Sequence, residues 1–306
     1  MLEEIELTLL NELFGTYDIF DGAYSLRVNG KGLKVASTEE VKISPKKGSS
    51  GINVEVKAGT KRGLAHIPVI LSKSGLKDKV YNDFRIGANA EVLILAGCGV
   101  HNDATHLTQH DGIHEFFVDE GARVKYIETH FGTGKGKGKK ALNPVTKIHL
   151  AAGAIMEIET TQIEGVDDAK RLTIADIGEG AKLTIKEVIE TRGTQNATTG
   201  FDVRLDGNDA KISVGSRSVA KDQSRQEFYS EITGNAACMG HSECDAIIMD
   251  NGYVKATPCL TANHPEAQLI HEAAIGKIAD EQIMKLQTLG LSRELAEQKI
   301  IDGFLR

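Results

Sequence analysis

The sequence predicts an all-β solenoid, a β-helix of stacked coils with a short helix at its N-terminal end and a helical hairpin at its C-terminal end. Three observations predict it. An Ala-x-apolar-x-apolar pattern begins at Ala90, Ala122, Ala154, Ala181 and Ala210, at spacings of 32, 32, 27 and 29 residues. Turn residues come before it each time: Ala88-Asn89, Gly121, Gly153, Gly180 and Asn208-Asp209. Between residues 50 and 270 no helical periodicity interrupts the Val-, Ile- and Thr-bearing strands. A period-two strand opened by a turn and returning at a fixed interval is what stacked coils require. A β-sandwich would supply the strands but not the period.

The elements follow in order. Residues 1–30 read as a helix and lead-in, with Leu2, Ile5, Leu9 and Leu13 on one helical face. Residues 31–275 read as the β-helix core, its sixth repeat the degenerate Ala236-Ala237-Cys238-Met239-Gly240. Residues 276–306 read as two short helices. Asp280 caps the first, Gly290 ends it, and Ser292 caps the second, in which Ala296, Ile300 and Phe304 form a stripe. An uncovered solenoid end invites aggregation, so the terminal helices are expected either to cap the ends or to dock a partner.

Composition narrows the function. At 41% hydrophobic and 26% charged residues the chain is globular rather than disordered. A net charge of −7 argues against a general nucleic-acid binder, and the absence of tryptophan argues against base-stacking platforms. No apolar run of about 18 residues is present to span a membrane. The acidic start "MLEEIELTLLNELF" lacks the features of a signal peptide, so a cytoplasmic location is expected. Four cysteines are too few for a disulfide scaffold in a chain of 306 residues and are read as thiols.

Those thiols raise the question of chemistry. Cys244 and Glu272 are 28 residues apart, about one coil. That spacing sets them on neighbouring strands, roughly 5 Å apart, with His271 alongside. A thiolate and a carboxylate converging on one ion make a labile site, since a permanent structural zinc favours paired Cys-x-x-Cys spacing, absent here. Buried thiols are the alternative. Measured from the repeat alanines, Cys98 and Cys244 share a phase five coils apart, on the order of 24 Å at strand spacing. Cys238 reads as an inward core residue, and Cys259 stays undecided. His101, His106, His110 and His114 form a second cluster, several of them expected to face solvent. The stretch "GTGKGKGKKALNP" lacks the P-loop pattern and reads as a basic loop.

The C-terminal third carries "ECDAIIM", "HPEAQLIHEAAIGKI" and "DEQIMKLQTLGLSRELAEQKIIDGFL", and a weaker match covers "FRI" at 84–86 and "AGC" at 96–98 followed by "HEFFVDEGARVKY". These segments resemble the SufB/SufD scaffold family of iron–sulfur cluster assembly. The resemblance implies a right-handed parallel β-helix, a transient iron–sulfur cluster built at a subunit interface, and a SufC-like ABC-type ATPase docked on the C-terminal helices. It implies that Cys98 accepts sulfur, which then passes through the β-helix, where Arg85 matches a polar residue of the route. Cys244 falls at the cluster-building cysteine, Glu272 at its acidic partner, and His271 at the histidine of SufD-like subunits. Cys238 and Cys259 are kept beside them as additional candidates only, apart from what the resemblance implies. One chain carrying all three residues implies a homodimer and a scaffold rather than an enzyme. Two rivals are kept: a SufD-like structural subunit that binds no cluster, and a β-helix enzyme acting on polysaccharides.

Overall fold

A computed structural model describes residues 2–15, 22–163 and 165–306 and shows a parallel β-solenoid of about eight coils. Of the lead-in expected over residues 1–30, positions 1 and 16–21 lie outside the described residues. The first wall runs in the spatial order Lys31–Ala36, Ala23–Val28, Gly63–Leu71, Glu91–His101, Arg123–Thr133, Ile155–Ile163, Lys182–Thr191, Lys211–Ala220, Met239–Ile248 and Gln268–Gly276. The second runs from Val41–Pro45 through Ile52–Val56, Lys77–Ile86 and Thr108–Val118 to Lys140–Leu142 with Val145–Leu150. It then continues through Asp168–Ile177, Asn196–Leu205 and Arg225–Gly234 to Tyr253–Ala262.

The repeat alanines explain the stacking. Ala90, Ala122, Ala154, Ala181 and Ala210 are all fully buried at the coil corners. Each corner carbonyl accepts from the backbone N–H that opens the next coil's strand, as Ala90 does from Arg123 and Ala181 from Lys211. The tight turns before them need the left-handed region, supplied by Asn89, Gly121, Gly153, Gly180 and Asp209, all at positive φ. Along each strand burial alternates, as in Arg123–Thr133, so that even offsets from the repeat alanine face inward. Phe84 stacks on Phe116 at 4.2 Å, and Tyr126 from the opposite wall meets Phe116 at 5.1 Å, closing the core between the walls.

Register corrects one sequence expectation. Lys211 pairs with Met239, and Met239 N–H donates to the Ala210 carbonyl as its predecessors do. Cys238, not Ala236, therefore stands in the alanine's place, and it is buried there. Cys98 lies eight residues past its corner and Cys244 six, so both face inward but in columns two residues apart, not in one phase.

Of the two roles expected of the terminal helices, capping the open ends is not the one they take here. The helix Glu4–Phe14, closed by a Glu3/Glu6 capping box and Gly15 in the left-handed region, lies on the outer flank of the first wall. Its Leu9, Leu10 and Leu13 pack with Leu26 and Ile70. A Cβ on Gly99 would meet Leu9 Cβ at 3.1 Å, and one on Gly97 would meet Phe14 Cζ at 3.0 Å, so side-chain-free positions on either side of Cys98 let the helix approach. The N-terminal end is instead closed by two antiparallel hairpins, one burying Ala23 and Leu26 and the other Val41, Ile43, Val54 and Val56. At the other end the helices Asp280–Gln287 and Arg293–Phe304 pack on each other, burying Ile283, Ala296 and Ile301. Ser292 caps the second through Leu295 N–H, whereas Asp280 is the first residue of its helix behind Ala279 and caps nothing. The last coil, Tyr253–Ala262 and Gln268–Gly276, stays exposed or half-buried throughout.

Candidate cluster-building site and polar interior

Cys244 and Glu272 occupy neighbouring strands, but their register is 29 residues, not 28: Cys244 pairs with Ala273, and Glu272 pairs with Glu243. Because strand side chains alternate, one residue of slip sends a side chain to the other face. Cys244 is 2% exposed inside the solenoid, while the Glu272 side chain is 67% exposed outside, its Oε2 3.3 Å from His241 Nε2. Within one chain the two do not converge. His271 pairs with Ser242 and shares the inner face with Cys244, one coil on and two residues along. It stands over Phe228, and both its ring nitrogens lack a hydrogen-bond partner among the described residues.

Electrostatics give these groups a resting state. Burial, then Glu187 and Asp245, push the Cys244 thiol up to about 12, so at neutral pH it is protonated. Burial, then His241, lowers His271 and keeps it neutral, so it does not supply a positive charge to draw out a thiolate. Cys259 is exposed on the outer side of the last coil, and Cys238 is a core residue. Arg85 lies outside the solenoid with its guanidinium 4.4 Å from the Phe117 ring, off any interior route. Among the described residues no group of three or more His, Cys, Asp or Glu is arranged to hold a metal ion.

The interior holds a polar column that the sequence reading overlooked. On the first wall Ala96, Glu128, Thr160, Glu187, Ser216 and Cys244 are stacked in register, one per coil. Arg171 reaches in from the second wall, donating from Nη1 to Glu128 Oε2 at 2.5 Å, with its Nε 3.7 Å from Glu187 Oε1. Tyr126 donates to Glu128, and Thr199 and Ser216 donate to Glu187. Against the cost of burial, the Arg171 guanidinium and then His130 hold Glu128 well below the usual carboxylate range. For Glu187 burial outweighs Arg171, and its carboxyl is raised. A signal existed: Glu128 and Glu187 both lie six residues past a repeat alanine, an even offset that faces inward.

Cys98 lies at the other end of this interior, 3% exposed, with His130 beside it on the next coil. Burial, then Glu128 and Asp78, push its thiol well up. Of the four histidines singled out by spacing, His110 and His114 are buried and face Cys98 from the second wall, whereas His106 is exposed and His101 hydrogen-bonds Asp103 near the surface. The even spacing of His110, His114, Phe116 and Val118 marks this inner face.

Comparisons agree with this architecture. A family model described as the SUF system FeS cluster assembly SufBD core domain matches residues 81–304. An iron-sulfur cluster assembly SufBD family protein of Methanothermobacter thermautotrophicus is 28% identical over 222 residues, covering 71% of this chain and 52% of that one. A protein of the same description from Archaeoglobus fulgidus is 29% identical over 231 residues, covering 75% and 61%. One from Pyrococcus horikoshii is 26% identical over 275 residues, covering 88% and 82%. The chain spans little more than half the length of the first of these relatives.

Proposed function

The chain belongs to the SufBD family of iron–sulfur cluster assembly, and from that premise we propose that it is a scaffold that takes up sulfur and iron, builds a labile cluster and hands it on. Cys98 accepts the sulfur. The polar column from Glu128 to Ser216 offers it hydrogen-bonding company on the way to Cys244. Cys244 then holds iron as a thiolate, with His271 beside it, once the incoming metal displaces the thiol proton.

The observation that carries this reading is the last coil. Cys244 and an unpartnered His271 face inward at an end of the solenoid whose final strands are paired on one edge only among the described residues. Glu272 points away from Cys244, so in this reading its carboxylate acts toward a second copy, and the homodimer completes a ligand set that one chain leaves open. An ABC-type ATPase docks on the C-terminal hairpin, where Met284, Leu289 and Leu295 are exposed, and hydrolyses the ATP; the scaffold itself turns over no substrate. The free thiols suit the reducing cytoplasm. No helix among the described residues is long and apolar enough to cross a membrane.

Anaerobic reconstitution with iron and sulfide tests the scaffold. Visible absorption of a cluster in the wild type, lost in Cys244→Ser and weakened in His271→Ala, is the expected result. The buried, protonated state of Cys244 favours a second reading, a SufD-like structural subunit with inert thiols. Iron and sulfide content that is equal in wild type and Cys244→Ser would establish it. Co-purification with an ABC-type ATPase, lost in Leu289→Glu, tests the partner.

A further inference from the structure

The second wall turns a gap toward Cys98. His110, Gly112 and His114 alternate onto the inner face of Thr108–Val118, and the glycine leaves a hollow between the two imidazoles. A Cβ built on Gly112 would lie 2.6 Å from His114 Nε2 and 3.5 Å from His110 Nε2, so no other residue fits without displacing a ring. Cys98, His130 and Glu128 close the hollow from the first wall, leaving a cavity of about 20 Å³. That is room for one group of about the size of a water molecule, which is the size class of one added sulfur atom.

The polar groups around it are unevenly used. His130 Nδ1 takes a contact from Arg171 at 3.2 Å, and His110 Nδ1 lies 3.2 Å from Asp78, whose carboxylate is held by Arg27. His114 is 7% exposed, and its Nδ1 finds no hydrogen-bond partner among the described residues. A buried ring nitrogen without a partner is costly, and the other nitrogen, Nε2, is the one turned to the Gly112 hollow, where a guest can accept from it. Packing alone does not call for it: His114 stacks at 5.8 Å on Phe84, a contact that an apolar side chain would also make.

We propose that the Gly112 hollow is a sulfane-sulfur pocket, in which His114 is a positioning residue that hydrogen-bonds the outer sulfur of a Cys98 persulfide. This rests on the reading of Cys98 as the sulfur acceptor. The chemistry balances with a persulfide-class donor. With hydrogen disulfide, the Cys98 sulfur attacks one disulfide sulfur, a new S–S bond forms, and the donor's S–S bond breaks. Cys98 is oxidised to the persulfide, the departing sulfur is reduced to sulfide, and the Cys98 thiol proton leaves with it as hydrogen sulfide. The outer sulfur of the product is the better acid and the stronger hydrogen-bond acceptor, so a neutral imidazole N–H is suited to hold it without adding a charge to the interior.

The test loads the full chain anaerobically with inorganic disulfide and follows sulfane sulfur on the Cys98 peptide by mass and by cyanide release. Wild type is expected to carry one extra sulfur at Cys98. Gly112→Ala, which fills the hollow, should lower uptake, and His114→Leu should shorten the lifetime of the bound sulfur about ten-fold, the scale of one lost hydrogen bond. His114→Gln, which restores a donor, should recover most of that lifetime, a rescue that a packing role does not produce. His114→Leu removes an unsatisfied polar group and keeps the fold, so it reads out even if Gly112→Ala does not fold. Sulfur uptake and lifetime equal to wild type in both Gly112→Ala and His114→Leu would overturn the pocket while leaving Cys98 as the acceptor. No uptake at Cys98 in the wild type would overturn both.

Discussion

Replacing Arg171 with methionine removes the guanidinium that stands between Glu128 and Glu187 and leaves the rest of the packing nearly unchanged. Glu128 and Glu187 are 3% and 2% exposed, and Arg171 is 8% exposed. Each carboxylate keeps its hydroxyl donors, Tyr126 for one and Thr199 with Ser216 for the other, but neither keeps a countercharge. Breaking a buried ion pair from one side costs about 3–5 kcal/mol. For a chain of this length, with an unfolding entropy near 2.1 cal/mol/K per residue, that lowers Tm by about 5–8 °C. The sign with pH is specific. Glu128 is held low in the wild type, so its contribution is present above its unfolded pKa and is lost as pH falls through the folded value. In the variant both carboxyls rise above their unfolded values, so acid restores stability by protonating them. The gap between wild type and Arg171→Met should therefore be widest at pH 7.5 and narrow by pH 5. Urea unfolding followed by circular dichroism at the two pH values measures it. A loss below about 1 kcal/mol at pH 7.5, the scale of an exposed pair, or an equal loss at both pH values, would refute the reasoning.

Further outcomes follow from the same geometry. His66 and His114, each lowered by burial to about 4, add stability that is full above pH 6.5 and lost as pH falls toward 4, roughly 3 kcal/mol apiece; unfolding free energies across that window check it, and histidines titrating near 6.5 by NMR would contradict it. Leu9→Ala, at a fully buried position, should cost about 2–5 kcal/mol of docking and speed proteolysis within Glu4–Phe14, with strand content unchanged. Arg85→Ala should leave sulfur uptake at Cys98 at the wild-type level, because its side chain stacks on Phe117 outside the solenoid. Backbone amides of Tyr253–Ala262 and Gln268–Gly276 should be the fastest of the strand amides to exchange hydrogen in the monomer and slow on self-association.

The period was legible because each coil corner needs a small residue, and alanine marks five of them. The ends were not, because amphipathic spacing shows that a helix has a face to cover without showing what covers it. For Glu4–Phe14 the cover is the flank at Gly97 and Gly99, a pairing that no local pattern announces. The site was half legible. Cys98, Cys244 and His271 do face the interior, but coil lengths run from 27 to 32 residues, and the last two registers differ by one, 28 from Ala210 to Cys238 and 29 from Cys244 to Ala273. A one-residue error is enough to turn Glu272 from partner to neighbour on the far side of the sheet. Glu128, Glu187 and Arg171 went unread because charged residues are usually assigned to solvent, although the parity of the two glutamates placed them inside.

In a stacked coil each layer touches only the layers above and below, so resistance to opening is local rather than shared by the whole molecule. The layer after Cys244 rests on a single neighbour, and peeling it back breaks one interface. Cys98 sits between layers on both sides, with a helix strapped across the outside of its strand. The rod therefore has a firm end and a loose end. In the proposed scaffold, a cargo assembled at the loose end would be let go by unzipping one rung, without disturbing the Cys98 thiol at the other.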